Sequence, residues 1–181
     1  IQSFERAETL AETGQAELIG HRFYFQFGIT LERSGRHDDA AKKFEKAITL
    51  TPKDEVDEAA NTMNYLGYMW LELGKHLDKA GELILKANEL QPGNPAYIDS
   101  LGWWHFKKGD YAHALIELER ALSLMKTMEP DDAEILEHIA QTHLKLGDKA
   151  KAHEWFRKAS DLGPTDTKLL QRIAEGLKST E

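Results

Sequence analysis

Cysteine is absent from the 181 residues, which excludes disulfide staples, thiolate nucleophiles and cysteine-bound zinc or iron–sulfur clusters. The compartment stays open, because a cysteine-free chain suits a reducing or an oxidising space equally. No apolar run approaches the roughly 20 residues that span a bilayer as a helix, so no membrane insertion by this segment is expected. Basic residues are the minority, 23 against 31 acidic, for a formal charge of −8. That balance repels phosphate backbones, and nucleic acid is not an expected partner. The first residue is Ile1 rather than Met, so the chain reads as a processed or excised fragment and any targeting segment lies outside it. Hydrophobic residues make up 41%, enough for a core in one or two domains or one elongated array.

Self-similarity organises the rest. Residues 27–52 align with 66–92: Gly28 answers Gly67, Gly35 answers Gly74, Ala40 answers Ala80, Ala47 answers Ala87 and Pro52 answers Pro92. A third copy supplies Gly102, Gly109, Ala114, Leu118 and Ala121, and a fourth supplies Ala140, Gly147, Ala152, Phe156, Ala159 and Pro164. The small residues let two helices of a hairpin approach closely. The later glycine of each copy ends a first helix where positive φ is wanted, and the proline stops a second helix.

This pattern resembles the tetratricopeptide repeat, whose signature is 34 residues long. The resemblance implies an all-α, right-handed superhelical solenoid of antiparallel helix pairs. The expected division is the second helix of a truncated repeat at 1–14, repeats at 16–52, 55–92, 95–127 and 131–164, and a capping helix at 166–178. Helix pairs are expected at 16–34 with 37–50, 55–73 with 77–91, 96–108 with 111–127, and 131–146 with 149–162. The matched positions 28, 67, 102 and 140 are unevenly spaced, by 39, 35 and 38 residues. The surplus falls in 53–59, in an extended turn at 126–130 and in the turn after Gly74. Asn94 is the expected N-cap of the third pair, with Pro95 in the first helical position. "FERAETL" (4–10) repeats the second-helix phrase "FEKAITL" (44–50), and 167–177 carries Leu170, Ile173, Ala174 and Leu177 at first-helix spacing.

Chemistry is thinly represented. Among eight histidines, His138 and His143 stand five apart on different helix faces, whereas a helical metal pair wants three or four. His105 and His143 occupy a packing position of the repeat. The carboxylates of 129–137 suit a helix N-terminus, where the dipole favours them. No phosphate-cradling loop or nucleophile elbow is present. No catalysis, metal or cofactor is expected.

The resemblance also implies that first helices line a concave face, presented mainly by the second, fifth, sixth, ninth, twelfth and thirteenth positions. This register presents Arg22, Phe25, Gln26, Ile29 and Arg33; then Leu71 together with site residues of the second repeat; then Ser100 with those of the third; and finally Glu134, Glu137, His138, Gln141 and Lys145. It separates the adjacent tryptophans of "PAYIDSLGWWHFKKGDY" (95–111): neighbours on a helix point about 100° apart, so Trp103 turns to the groove and Trp104 to a neighbouring helix. The expected partner-binding residues are Asn61, Asn64, Tyr65, Tyr68, Asp99, Trp103, Phe106 and Lys107. Aromatics offer large contact area, and asparagine amides hydrogen-bond a peptide backbone whatever its sequence. Internal packing of the aromatic strip is the alternative. The carboxylate clamp of some family members is absent, since the relevant positions hold Arg22, Gln26, Asn61, Tyr65, Ala96 and Ser100. Lys168 and Arg172 do sit at clamp positions of the terminal helix, but the two helices before it present His138 and Ser100.

Residues 62–124 further resemble bacterial multi-repeat proteins with "LDSLGW"-type segments, in which the array is an assembly scaffold, often envelope-associated. The expected function is a non-enzymatic adaptor that binds a partner polypeptide along the concave groove. Self-assembly into a homo-oligomer is the alternative, and bacterial cytoplasm and periplasmic envelope both fit.

Overall fold

The structure is a computed structural model that describes residues 1–11 and 19–181. It is all-α among those residues. Following α1 (Gln2–Leu10), four antiparallel pairs run α2 (His21–Arg33) with α3 (His37–Leu50), α4 (Val56–Glu72) with α5 (Leu77–Leu90), α6 (Pro95–Lys107) with α7 (Tyr111–Leu124), and α8 (Ala133–Lys145) with α9 (Lys149–Asp161). The last helix, α10 (Thr167–Thr180), packs on α9 and α8. Of the helix expected at 16–34, residues 16–18 lie outside the described residues, as does the end of the helix expected at 1–14; Ile19 and Gly20 are not helical, since Gly20 is extended, and α2 starts at His21.

The turn inside each pair has one local cause. Gly35, Gly74, Gly109 and Gly147 all have φ between 62° and 85°, a conformation that costs glycine little and other residues more. Each donates its N–H three residues back, and the next residue donates five back, as Asp110 does to His105. This Schellman pattern uses up carbonyls that the helix end leaves open. In the second pair the surplus residue is His76, left-handed at φ 51° and resting edge-on against Trp70. Asn94 accepts from Ala96 N–H, and Asp110, Asp148 and Asp166 cap α7, α9 and α10 in the same way.

The repeated small residues are contact points. Ala40, Ala80, Ala114 and Ala152 are all 0% exposed, as are Phe44, Ile84, Leu118 and Phe156 one turn on. A Cβ at Gly28, Gly67 or Gly102 would meet Phe44, Ile84 or Leu118 at 2.5–2.7 Å. The chain therefore sets large second-helix side chains directly on bare first-helix backbone. Each such burial contributes about 1.5–3 kcal/mol.

Two further expectations need correction. Helix α7 stops at Leu124, short of 127, because Met125 turns extended. Pro130 then forces Glu129 extended too, and a short 3₁₀ turn at Pro130–Asp132 leads into α8. In α10 the face against α8 and α9 carries Leu169, Ile173 and Gly176, while Leu170 is 42% exposed and Ala174 is exposed. Ile173 and the partly buried Leu177 pack as expected, while Leu169 takes the place given to Leu170 and Gly176 seats on the ring of Phe156.

At the other end α1 lies against the first pair. Phe4 stacks on Phe27 at 5.0 Å and meets Phe23 edge-on, while Glu5 pairs with Arg36 and Glu8 with Lys43.

Candidate functional site on the inner face

First helices α2, α4, α6 and α8, with α10, line the inside of the coil. The adjacent tryptophans part there. Trp104 turns to α5, its ring over Gly81, where a Cβ would come within 2.4 Å, and its N–H donates to Leu77 O at 2.8 Å. Trp103 turns inward, but it is only 6% exposed. Its ring is stacked between Phe106 at 4.3 Å and His138 at 3.9 Å, Lys107 Nζ stands 4.8 Å from its centroid, and its N–H donates to Glu72 at 2.8 Å. The expectation of an open Trp103 is corrected: the coil is tight enough for α8 to cover it.

His138 is fully buried at the centre of this cluster. Its Nδ1 lies 3.0 Å from Asp99 Oδ1, and its Nε2 lies 3.4 Å from the Tyr68 hydroxyl. Burial alone would drive the imidazole towards neutrality, but the charge and hydrogen bond of Asp99, helped by Glu134 and Glu137, hold its pKa up at about 9. The protonated ring then donates from both nitrogens, to Asp99 and to Tyr68. Burial and the nearby carboxylates Glu134, Glu72 and Asp99 raise the Tyr68 hydroxyl well above its usual range.

A second cation closes the coil. Arg172 of α10 reaches Glu134 at 2.8 Å, the fully buried Glu137 at 3.4 Å and Glu72 of α4 at 3.9 Å. Burial works against its charge, and Glu137 and Glu134 outweigh that, raising its pKa. Burial likewise pushes Glu72 upward, but Trp103, Lys107, His138 and Arg172 together hold it below the ordinary glutamate value.

Tyr68, Asp99, Trp103, Phe106 and Lys107 thus come together, joined through His138. Asp99, at 7% exposure, and Trp103 are engaged within the chain rather than offered to solvent. Tyr65 faces the first pair instead, 5.7 Å from Phe25 and 5.1 Å from Phe44. Asn61 is exposed in a separate shallow hollow with Arg22 and Gln26. Asn64 holds a screened Oδ1 that has no hydrogen-bond partner.

Above the cluster opens a cleft of about 560 Å³, whose walls include Glu32 of α2, Asn64, Tyr65, Tyr68 and Glu72 of α4, Ser100 of α6, Asp131, Glu134 and Ile135 before and in α8, and Lys168 of α10. Glu32 and Glu72, at the twelfth and thirteenth positions of their repeats, line it in place of Arg33 and Leu71, the residues named from those two positions. Leu71 is 0% exposed in the core. Glu72 and Arg172 carried no sequence signal beyond their place in the repeat. No group of His, Asp or Glu among the described residues is arranged to hold a metal ion, and no described helix is long and apolar enough to cross a membrane.

Tetratricopeptide-repeat models match residues 25–95 and 96–164. A TPR repeat-containing protein of Pseudomonas aeruginosa is 33% identical over 106 residues, covering 59% of this chain and 17% of that protein. The chain spans less than a fifth of the length of the curated relatives it matches. Among solved structures, Cut9 in the APC/C hetero-tetramer Cut9–Hcn1 superposes with a TM-score of 0.76 at 19% identity, covering 98% of this chain and 32% of that one. PilF of Pseudomonas aeruginosa superposes with a TM-score of 0.68 at 20% identity, covering 88% and 68%. These structural likenesses carry the fold.

Proposed function

The chain belongs to the tetratricopeptide-repeat family, and from that premise we propose that it is a non-enzymatic scaffold that binds a segment of a partner polypeptide in the inner cleft. The observation that carries this reading is the cleft itself. Its volume of about 560 Å³ falls in the range of clefts that bury a ligand, roughly 300–1,000 Å³, and five inner helical elements converge on it. Tyr65 and Tyr68 supply ring surface, and Asn64 supplies an acceptor with no partner in the chain. Asp99, Trp103, Phe106 and Lys107 support the cleft wall from behind by fixing Tyr68 and Glu72. A peptide backbone laid along Asn64 gains a hydrogen-bond acceptor whatever its sequence once the amide turns its screened Oδ1 outward.

Photo-crosslinking tests the reading. A benzophenone side chain replacing Glu32 should capture partner polypeptide, whereas the same group replacing Ile116, 59% exposed on α7, should not. Equal capture at both positions would remove the cleft from the reading. The alternative, association of copies of this chain, is checked by light scattering over a concentration series, where a mass that stays monomeric rejects it.

A further inference from the structure

The cations of the inner face are already spent, and its outer acids are not. Arg172 is held by three carboxylates, Lys107 by Glu72 and the Trp103 ring, and His138 by Asp99. At the cleft mouth, Glu32 and Asp131 have no ion-pair partner within the described chain, and both line the main cleft and the hollow adjoining it. Lys168 is the cation that shares those walls. Asn64 adds its unpartnered Oδ1. The opening is thus rich in acceptors beside the rings of Tyr65 and Tyr68, with Glu32 against the Tyr65 hydroxyl and Lys168 the cation shared by both walls, on a chain of net charge −8.

We propose that the segment taken into this cleft is basic, and that an arginine side chain is its anchor; this rests on the reading of the cleft as a partner-binding site. A guanidinium is planar, presents five donors and stacks on aromatic faces, so it can answer several acceptors while its stem lies on tyrosine. Glu32 and Asp131 stand where they can flank its charge, and Asn64, on turning its screened Oδ1 outward, accepts from it or from the adjoining backbone. An ammonium meets the charge but not the fork of acceptors, so lysine serves less well. An acidic segment is repelled.

The test uses fluorescein-labelled peptides alternating alanine with arginine, lysine, glutamine or glutamate, followed by fluorescence anisotropy. The arginine peptide should bind tightest, lysine next, then glutamine, with glutamate not binding. Replacing both mouth carboxylates, Glu32→Gln with Asp131→Asn, should weaken the arginine peptide about tenfold, the loss expected for charge-assisted hydrogen bonds, and leave glutamine binding unchanged. Lys168→Gln should strengthen arginine binding, and added salt should weaken it, since these charges are at a solvent-facing rim. Asn64→Leu, which keeps the side-chain size and removes the acceptor, should weaken every peptide that binds. Thermal melts confirm that each variant is folded.

A glutamine peptide that binds as tightly as the arginine one, with both lost in Asn64→Leu, overturns the charge inference and leaves the cleft standing. Arginine binding that ignores the double replacement overturns it as well. If no peptide binds, or Asn64→Leu changes nothing, the cleft is not the binding site and both readings fall together.

Discussion

Titrating the protein from about pH 6 to about pH 10 removes the proton from His138 and should lower folding stability by about 3 kcal/mol. The magnitude comes from the gap between an ordinary histidine value of 6.5 in the unfolded chain and about 9 in the folded one. Because the folded value is the higher, the folded state holds the proton more tightly. The contribution is therefore complete below about 6.5, declines as pH rises through the window between the two values, and is gone above about 9. Tyr68, the hydroxyl against the ring, is raised and stays neutral through that window. His105 and His143, both pushed down chiefly by burial, favour the neutral form on folding, so their contribution is lost on acidification through 6.5 and opposes the His138 slope only at the low end of the titration. Urea unfolding followed by far-UV circular dichroism at a series of pH values measures the slope. Asp99→Asn removes the nearest charge, leaves burial to dominate, and should flatten or reverse it. A wild-type slope of zero, or the same slope in Asp99→Asn, would refute the ion pair as its source.

Other substitutions probe the packing and the coil closure. Gly102→Leu drives a side chain into Leu118, whose Cγ lies 2.7 Å from where even a Cβ would sit, and should cost about 1–3 kcal/mol or more in a thermal melt; Gly93→Ala, which meets nothing within 4 Å, should be close to neutral. Arg172→Met leaves Glu137 buried without its cation; a side-chain exposure of 31% at Arg172 puts the cost at the lower end of about 3–5 kcal/mol, and adding Glu137→Gln should recover part of it in a double-mutant cycle. Trp103→Ala and Trp104→Ala should each cost about 3–5 kcal/mol, since both indoles are packed and hydrogen-bonded, and a melt that separates them sharply would show that the His138 stack contributes nothing.

Most of the helical plan is legible in the sequence because its causes are local. A glycine that must take positive φ, an aspartate that caps, and an alanine that must vanish beneath a phenylalanine each act within a turn or one hairpin. The inner face is less legible because it depends on how tightly successive pairs wind. The repeat register correctly turns Trp103 inward, but no residue of α6 reports that α8 will lie over it. Glu72 and Arg172 stand 100 positions apart, and nothing in either local sequence signals that they meet. Glu32 and Leu71 share the twelfth position and Arg33 and Glu72 the thirteenth, so position in the repeat alone does not separate a cleft acid from a core leucine. In α10, Ile173 and Leu177 are legible from the spacing, whereas Leu169 is buried where Leu170 is expected.

An array whose units touch only their neighbours behaves like a spring, stretching and fraying from either end at little cost to the middle. The guanidinium bridge from α10 to α4 changes that mechanics, because it ties the second turn of the coil to its terminus and bypasses the units between. Pulling the C-terminal helix away loads α4 directly. The tie is one partly exposed ion pair at 3.9 Å, so it stiffens the segment between them modestly and is the first contact to part under force.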